Sequence, residues 1–98
     1  MPVVRITSPR EITYDLYQQV TAKVDLGNNP PDGLIIHTAS EVDGHLKIVD
    51  IWESDEHADR FGQERLGPAI AEIAGEQMAG PPDPSQLEVY EVKALVKP

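Results

Sequence analysis

His37, Asp50 and Trp52 are the side chains of this sequence whose types could do chemistry together. A histidine takes or gives a proton near neutrality, an aspartate beside it fixes the imidazole tautomer, and an indole supplies a wall for a flat ligand. A β-hairpin would bring them together. Leu34 to Val42 and His45 to Glu53 are rich in Ile, Val, Leu and Thr, and Asp43 and Gly44 between them tolerate the positive φ angles of a type I′ turn. A two-residue turn fixes the pairing: Val42 with His45, Ala39 with Ile48, His37 with Asp50, Ile36 with Ile51 and Ile35 with Trp52. Opposed residues share a face. One face therefore carries Ile35, His37, Ala39, Leu46, Ile48, Asp50 and Trp52, and the other carries Leu34, Ile36, Thr38, Val49 and Ile51. The same residues also fit a plainer role, a buried histidine satisfied by an acid with tryptophan as packing.

Other constellations carry less. His37, His45 and His57 do not fall at metal-ligand spacing, so no metal is expected. Tyr14 and Tyr17 read as packing or surface aromatics, and Glu64 and Arg65 as a solvated helix face. The chain has no phosphate-binding glycine loop, serine elbow or dinucleotide fingerprint.

The remaining elements must position the hairpin. Val3, Val4 and Ile6 form a short strand, after which Ser8, Pro9 and Glu11 offer a capping box for a helix from Pro9 to about Leu26. Ile12, Leu16, Val20 and Val24 recur along it with Tyr17 beside them, and Gly27 ends it. Ser54 can cap a second helix, with Asp55 and Glu56 favouring its positive end. Its stripe of Ala58, Phe61 and Leu66 is interrupted at Gly67 and Pro68 and resumes at Ala69, Ile70, Ile73 and Met78, which predicts two pieces with a break. Leu87 to Val96 is a final strand. The order strand, helix, strand, strand, helix, strand predicts an α+β chain: a ferredoxin-like βαββαβ arrangement, its antiparallel four-stranded sheet having both helices on one face.

Length and charge bound the rest. At 98 residues, the chain is expected to fold as one domain, residues 1–98, burying roughly 60–65% of its unfolded surface. Hydrophobic residues at 40% and charged ones at 26% are too apolar a mixture for intrinsic disorder. A net charge of −9 would repel a phosphate backbone, so neither nucleic acid nor an anionic membrane is an expected partner. The chain has no cysteine, and neither a signal-like start nor a span of about 20 apolar residues is found, so a cytoplasmic location is expected.

Both faces of the hairpin are apolar, yet the topology supplies helices for only one. Along the last strand, Leu87 and Val89 point one way and Tyr90, Val92, Ala94 and Val96 the other. The uncovered face is expected to be buried by a second copy of the chain, giving a homodimer with sheet packed toward sheet. The expected site lies in a cavity on that face, with His37 and Asp50 catalytic and Trp52, Ile35, Ile48 and Tyr90 lining a small apolar or aromatic ligand.

Asp50, Ile51, Trp52, Glu53, Ser54, Glu56, Phe61, Leu66, Pro68 and Ala69 closely resemble the hairpin-to-helix segment of the dimeric α+β barrel superfamily, particularly its antibiotic-biosynthesis-monooxygenase-like members. The likeness runs from Gly33 to Ile73. It implies a dimer, and a range of functions from cofactor-independent monooxygenases and haem-degrading enzymes to isomerases, dehydratases and proteins without activity. It also implies, for the oxygenases and haem-degrading members, a tryptophan acting with an asparagine and a histidine or tyrosine. Trp52 matches such a position. The only asparagines, Asn28 and Asn29, lie in a loop, and Phe61 stands where haem would want a histidine, so no cofactor is expected. Two functions fit: a cofactor-independent monooxygenase or isomerase acting on a small aromatic or polyketide-like compound, or a non-catalytic dimer that binds or shields a small ligand.

Overall fold

Asp43 and Gly44 turn the chain with positive φ angles of 53° and 79°, the twist that suits two strands joined by two residues. The computed structural model describes residues 1–98, and in it the hairpin comprises β2 (Leu34–Val42) and β3 (His45–Trp52). The pairing runs as the turn dictates from Val42 opposite His45 to Ile36 opposite Ile51, with His37 opposite Asp50. It then slips. Leu34, not Ile35, faces Trp52, because Ile35 is an extra residue in a bulge between Leu34 and Ile36.

With β1 (Val3–Thr7) and β4 (Leu87–Glu91), the sheet has the order β2-β3-β1-β4 and every pairing is antiparallel. This is the ferredoxin-like arrangement. β4 is shorter than its sequence suggests. Val92 N–H still bonds to Pro2 O at 3.0 Å, and the residues from there up to Pro98 form no strand.

The first helix is also shorter, α1 spanning Tyr14–Val24. Ser8 does not cap it, because Ser8 N–H donates to Gln86 O (2.9 Å) and prolongs the β1–β4 ladder. Thr13 caps instead, its hydroxyl accepting from Leu16 N–H at 3.1 Å. The helix stops at Asp25, whose left-handed backbone (φ 54°) closes the last turn before Gly27 is reached.

The second helical arm does not break at Gly67 and Pro68. α2 (Asp55–Phe61), capped by Ser54 through His57 N–H, passes through a wider π-turn at Gly62–Leu66 into α3 (Gly67–Ala74). Glycine is needed at 67, since a β-carbon there would lie 2.7 Å from Gly62 O. Pro68 falls in the first turn of α3, where its missing N–H leaves no gap.

Val20 and Val24 of α1 meet Ala69 and Ile70 of α3 to form the core, with Leu16, Phe61, Leu66 and Ile73 around them. Arg65, in the π-turn, ties the two arms together. Its guanidinium donates to Val24 O (2.5 Å) and Asn29 O (2.7 Å) and lies 5.4 Å from the centre of the Phe61 ring. Both bonds come from the one nitrogen Nη2, so what a lysine loses is the planar guanidinium that holds this nitrogen in place while it stacks on Phe61. Arg65→Lys is therefore expected to destabilise by about 1–2 kcal/mol, read as a lower urea midpoint; an unchanged midpoint would mean that water serves the carbonyls equally well.

Candidate functional site

The helices settle which face of the sheet is which. Arg5, opposite Asp50 on one side and Val89 on the other, sends its guanidinium to Asp55 (2.5 Å) and Asp59 (3.2 Å) of α2. Trp52 packs on Phe61, centroids 5.7 Å apart, and His37 reaches Tyr17 of α1. Strand parity places Arg5, His37, Ile48, Asp50 and Trp52 together, so the helix-covered face is the one that carries these candidate site residues. The sequence expectation of a site on the uncovered face, in a cavity between paired sheets, is thereby overturned. Hydrophobicity could not choose between two apolar faces. The choice falls to the Trp52–Phe61 contact and to the charged partners that α2 holds for Arg5.

At the centre of this face is a hydrogen-bonded chain. His37 Nδ1–H donates to Asp50 Oδ1 at 2.7 Å, which leaves Nε2 as an acceptor, and Tyr17 Oη–H donates to it at 2.5 Å. The phenol and imidazole rings also stack, 5.8 Å apart and 14° from parallel, and Tyr14 stacks in turn on Tyr17. Burial raises the Tyr17 pKa above its ordinary value, and the charge of Asp50 and the neighbouring Tyr14 raise it further. Tyr17 is thus a protonated donor at neutral pH. Along α1 beside Tyr14 and Tyr17 runs a shallow groove of about 420 Å³, open to solvent.

No protein-family model matches this sequence, and no curated protein matches it. Solved structures do. The heme-degrading protein Rv3592 from Mycobacterium tuberculosis, in a heme-free, cleaved form, is 19% identical with a TM-score of 0.56, covering 99% of this chain and 100% of that one. NE2512, a protein of unknown function from Nitrosomonas europaea, is 16% identical with a TM-score of 0.59, covering 99% and 91%. The chain shares their fold. At such identities the likeness extends to nothing finer.

The residues of this chain do not fit a haem. Phe61, standing where a haem would want a histidine, packs on Trp52, and the one histidine of that arm, His57, lies in the first turn of α2 with Nδ1 hydrogen-bonded to Ser54 and Nε2 4.0 Å from Asp32.

The structure brings His37 and Asp50 into contact and puts Ile48 and Trp52 on their face. Trp52 is only 3% exposed, so its ring is packing for Phe61 more than a wall open to solvent. Ile35 sits in the bulge. Tyr90 pairs with Val4 on the opposite face, where it is 52% exposed and donates to Glu88. Two residues were not legible as site residues from the sequence: Tyr17, whose place on the inner stripe of α1 was the one signal, and Arg5, an arginine at an inward position of an otherwise apolar strand.

Proposed function

We propose that this protein is a cofactor-independent enzyme, an isomerase or monooxygenase whose first step removes a proton from a small, flat, aromatic or polyketide-like compound. It would work as a homodimer of the antibiotic-biosynthesis-monooxygenase-like type, a dimeric α+β barrel with residues 1–98 as the single domain of each protomer. The observation that supports the chemistry is the chain Tyr17–His37–Asp50.

In this reading a substrate in the groove along α1 presents its acidic C–H to Tyr17 Oη. As that proton arrives, the phenolic proton passes to His37 Nε2, and Asp50 stabilises the imidazolium. Tyr17 ends unchanged and His37 holds the proton. Returned to a different substrate atom, the proton completes an isomerisation; met by dioxygen instead, the carbanion forms a peroxide that takes the proton back from His37, and where that carbon carries a second hydrogen the O–O bond breaks with loss of water to leave a carbonyl, the monooxygenase course.

The dimer is supported by the face the helices leave open. Ile36, Ile51, Val4 and Tyr90 form a row across all four strands, and Thr38, Val49 and Ile6 lie in the row beside it. Only nine of the 98 residues are buried, a thin core that covering this face would enlarge.

His37→Ala is expected to slow solvent deuterium uptake into an enolisable β-diketone by about 10²–10⁴-fold, the usual range for a lost general base, followed by NMR, with cooperative unfolding retained. Asp50→Asn should act in the same direction by favouring the wrong tautomer. The burial of Trp52 favours a second reading, a dimer that binds or shields a small ligand without turnover. Unchanged uptake in His37→Ala together with a large loss of stability would select it.

A further inference from the structure

A phenol loses an electron readily only when its proton leaves in the same event, because the phenol radical cation is a very strong acid. The proton therefore needs a base already hydrogen-bonded to the oxygen, and that base needs a partner for the positive charge it acquires. Tyr17 has both. His37 Nε2 accepts from its hydroxyl at 2.5 Å, and Asp50 holds the far nitrogen at 2.7 Å. The electron has a route as well: Tyr14 stacks on Tyr17 with centroids 5.9 Å apart and planes 17° from parallel, and the Tyr14 side is 43% exposed. No cysteine is present to intercept an oxidising equivalent, and the one tryptophan is packed away against Phe61.

We infer that Tyr17 is a redox-active tyrosine, oxidised by an outer-sphere one-electron oxidant, such as an organic peroxyl or phenoxyl radical, that meets the exposed ring of Tyr14. In the forward step the oxidant gains one electron, the Tyr17 O–H bond breaks, and the proton forms an N–H bond at His37 Nε2, leaving a neutral tyrosyl radical beside an imidazolium paired with Asp50. A one-electron donor reverses it, the proton returning from Nε2 to Oη. No substrate turnover is required, so the property stands apart from the enzymatic reading of the same residues. The protonated state of Tyr17 at neutral pH keeps the transferable proton in place.

The chain has three tyrosines, so single replacements by phenylalanine assign the radical. Tyr90, exposed on the opposite face and hydrogen-bonded to the Glu88 carboxylate, is the competing phenol that the replacements distinguish from Tyr17. The protein is mixed with hexachloroiridate(IV), freeze-quenched and examined by electron paramagnetic resonance, with circular dichroism to check the fold of each variant. The expected result is a neutral tyrosyl radical in the wild-type protein that is lost in Tyr17→Phe, kept in Tyr90→Phe, formed more slowly in Tyr14→Phe and strongly reduced in His37→Gln. Its formation in the unaltered protein is expected to be slower in D2O than in H2O, a readout independent of how any variant folds. A signal that survives Tyr17→Phe, a yield indifferent to His37→Gln, or equal rates in the two solvents would each overturn the inference.

Discussion

Trp52→Ala is expected to destabilise the protein by about 3–5 kcal/mol, the usual range for a large aromatic cut back to a methyl in a core. Trp52 is 3% exposed at the end of β3, where Val3 and Leu34 flank it in the sheet and Phe61 of α2 closes over it. The residues after it turn directly into the capped start of α2, so the cavity would open at the joint between the sheet and the second helical arm. Domains of this size are stable by about 5–15 kcal/mol in all, and the loss is therefore a large part of the total. Thermal unfolding followed by circular dichroism reads it. Trp52→Phe, which keeps a ring on Phe61, should lose clearly less. If the alanine variant melts near the wild type, the indole is not a core residue, and its role as a ligand wall returns.

The hairpin was legible because its chemistry is local: two residues that accept positive φ fix every pair as far as Ile36 and Ile51. The bulge at Ile35 was not. In a run such as Leu34, Ile35, Ile36, nothing marks which residue is the extra one. The capping box at Ser8 and Glu11 failed for a non-local reason, a single hydrogen bond to Gln86, a residue far along the chain. Alternation in the strands correctly grouped His37 with Asp50, yet it could not say which group the helices would cover, since both were apolar. Tyr17 was misread for a similar reason. An aromatic on a helical stripe looks like packing until its partner is known, and its partner lies across the fold on an edge strand.

Ile51→Glu is expected to convert the proposed dimer to a monomer. Ile51 lies at the middle of the open face, between Ile36, 42% exposed, and Val4. In a lone protomer a glutamate there remains hydrated, so the fold should persist. In a two-fold sheet-to-sheet interface each substitution counts twice, and two carboxylates would be buried near the axis facing like charge. The effective penalty for burying an unpaired ion is several kcal/mol, which corresponds to a dissociation constant raised by roughly 10²–10⁴-fold or more. Sedimentation equilibrium at micromolar concentration distinguishes the outcomes, and a wild-type protein that is already monomeric removes the dimer altogether. The site would survive that result. Tyr17, His37 and Asp50 belong to one protomer and lie on the helix-covered face, so the monomeric variant should keep both the proton transfer and the tyrosyl radical. A loss of either in a folded Ile51→Glu monomer would show that the second copy shapes the groove from outside.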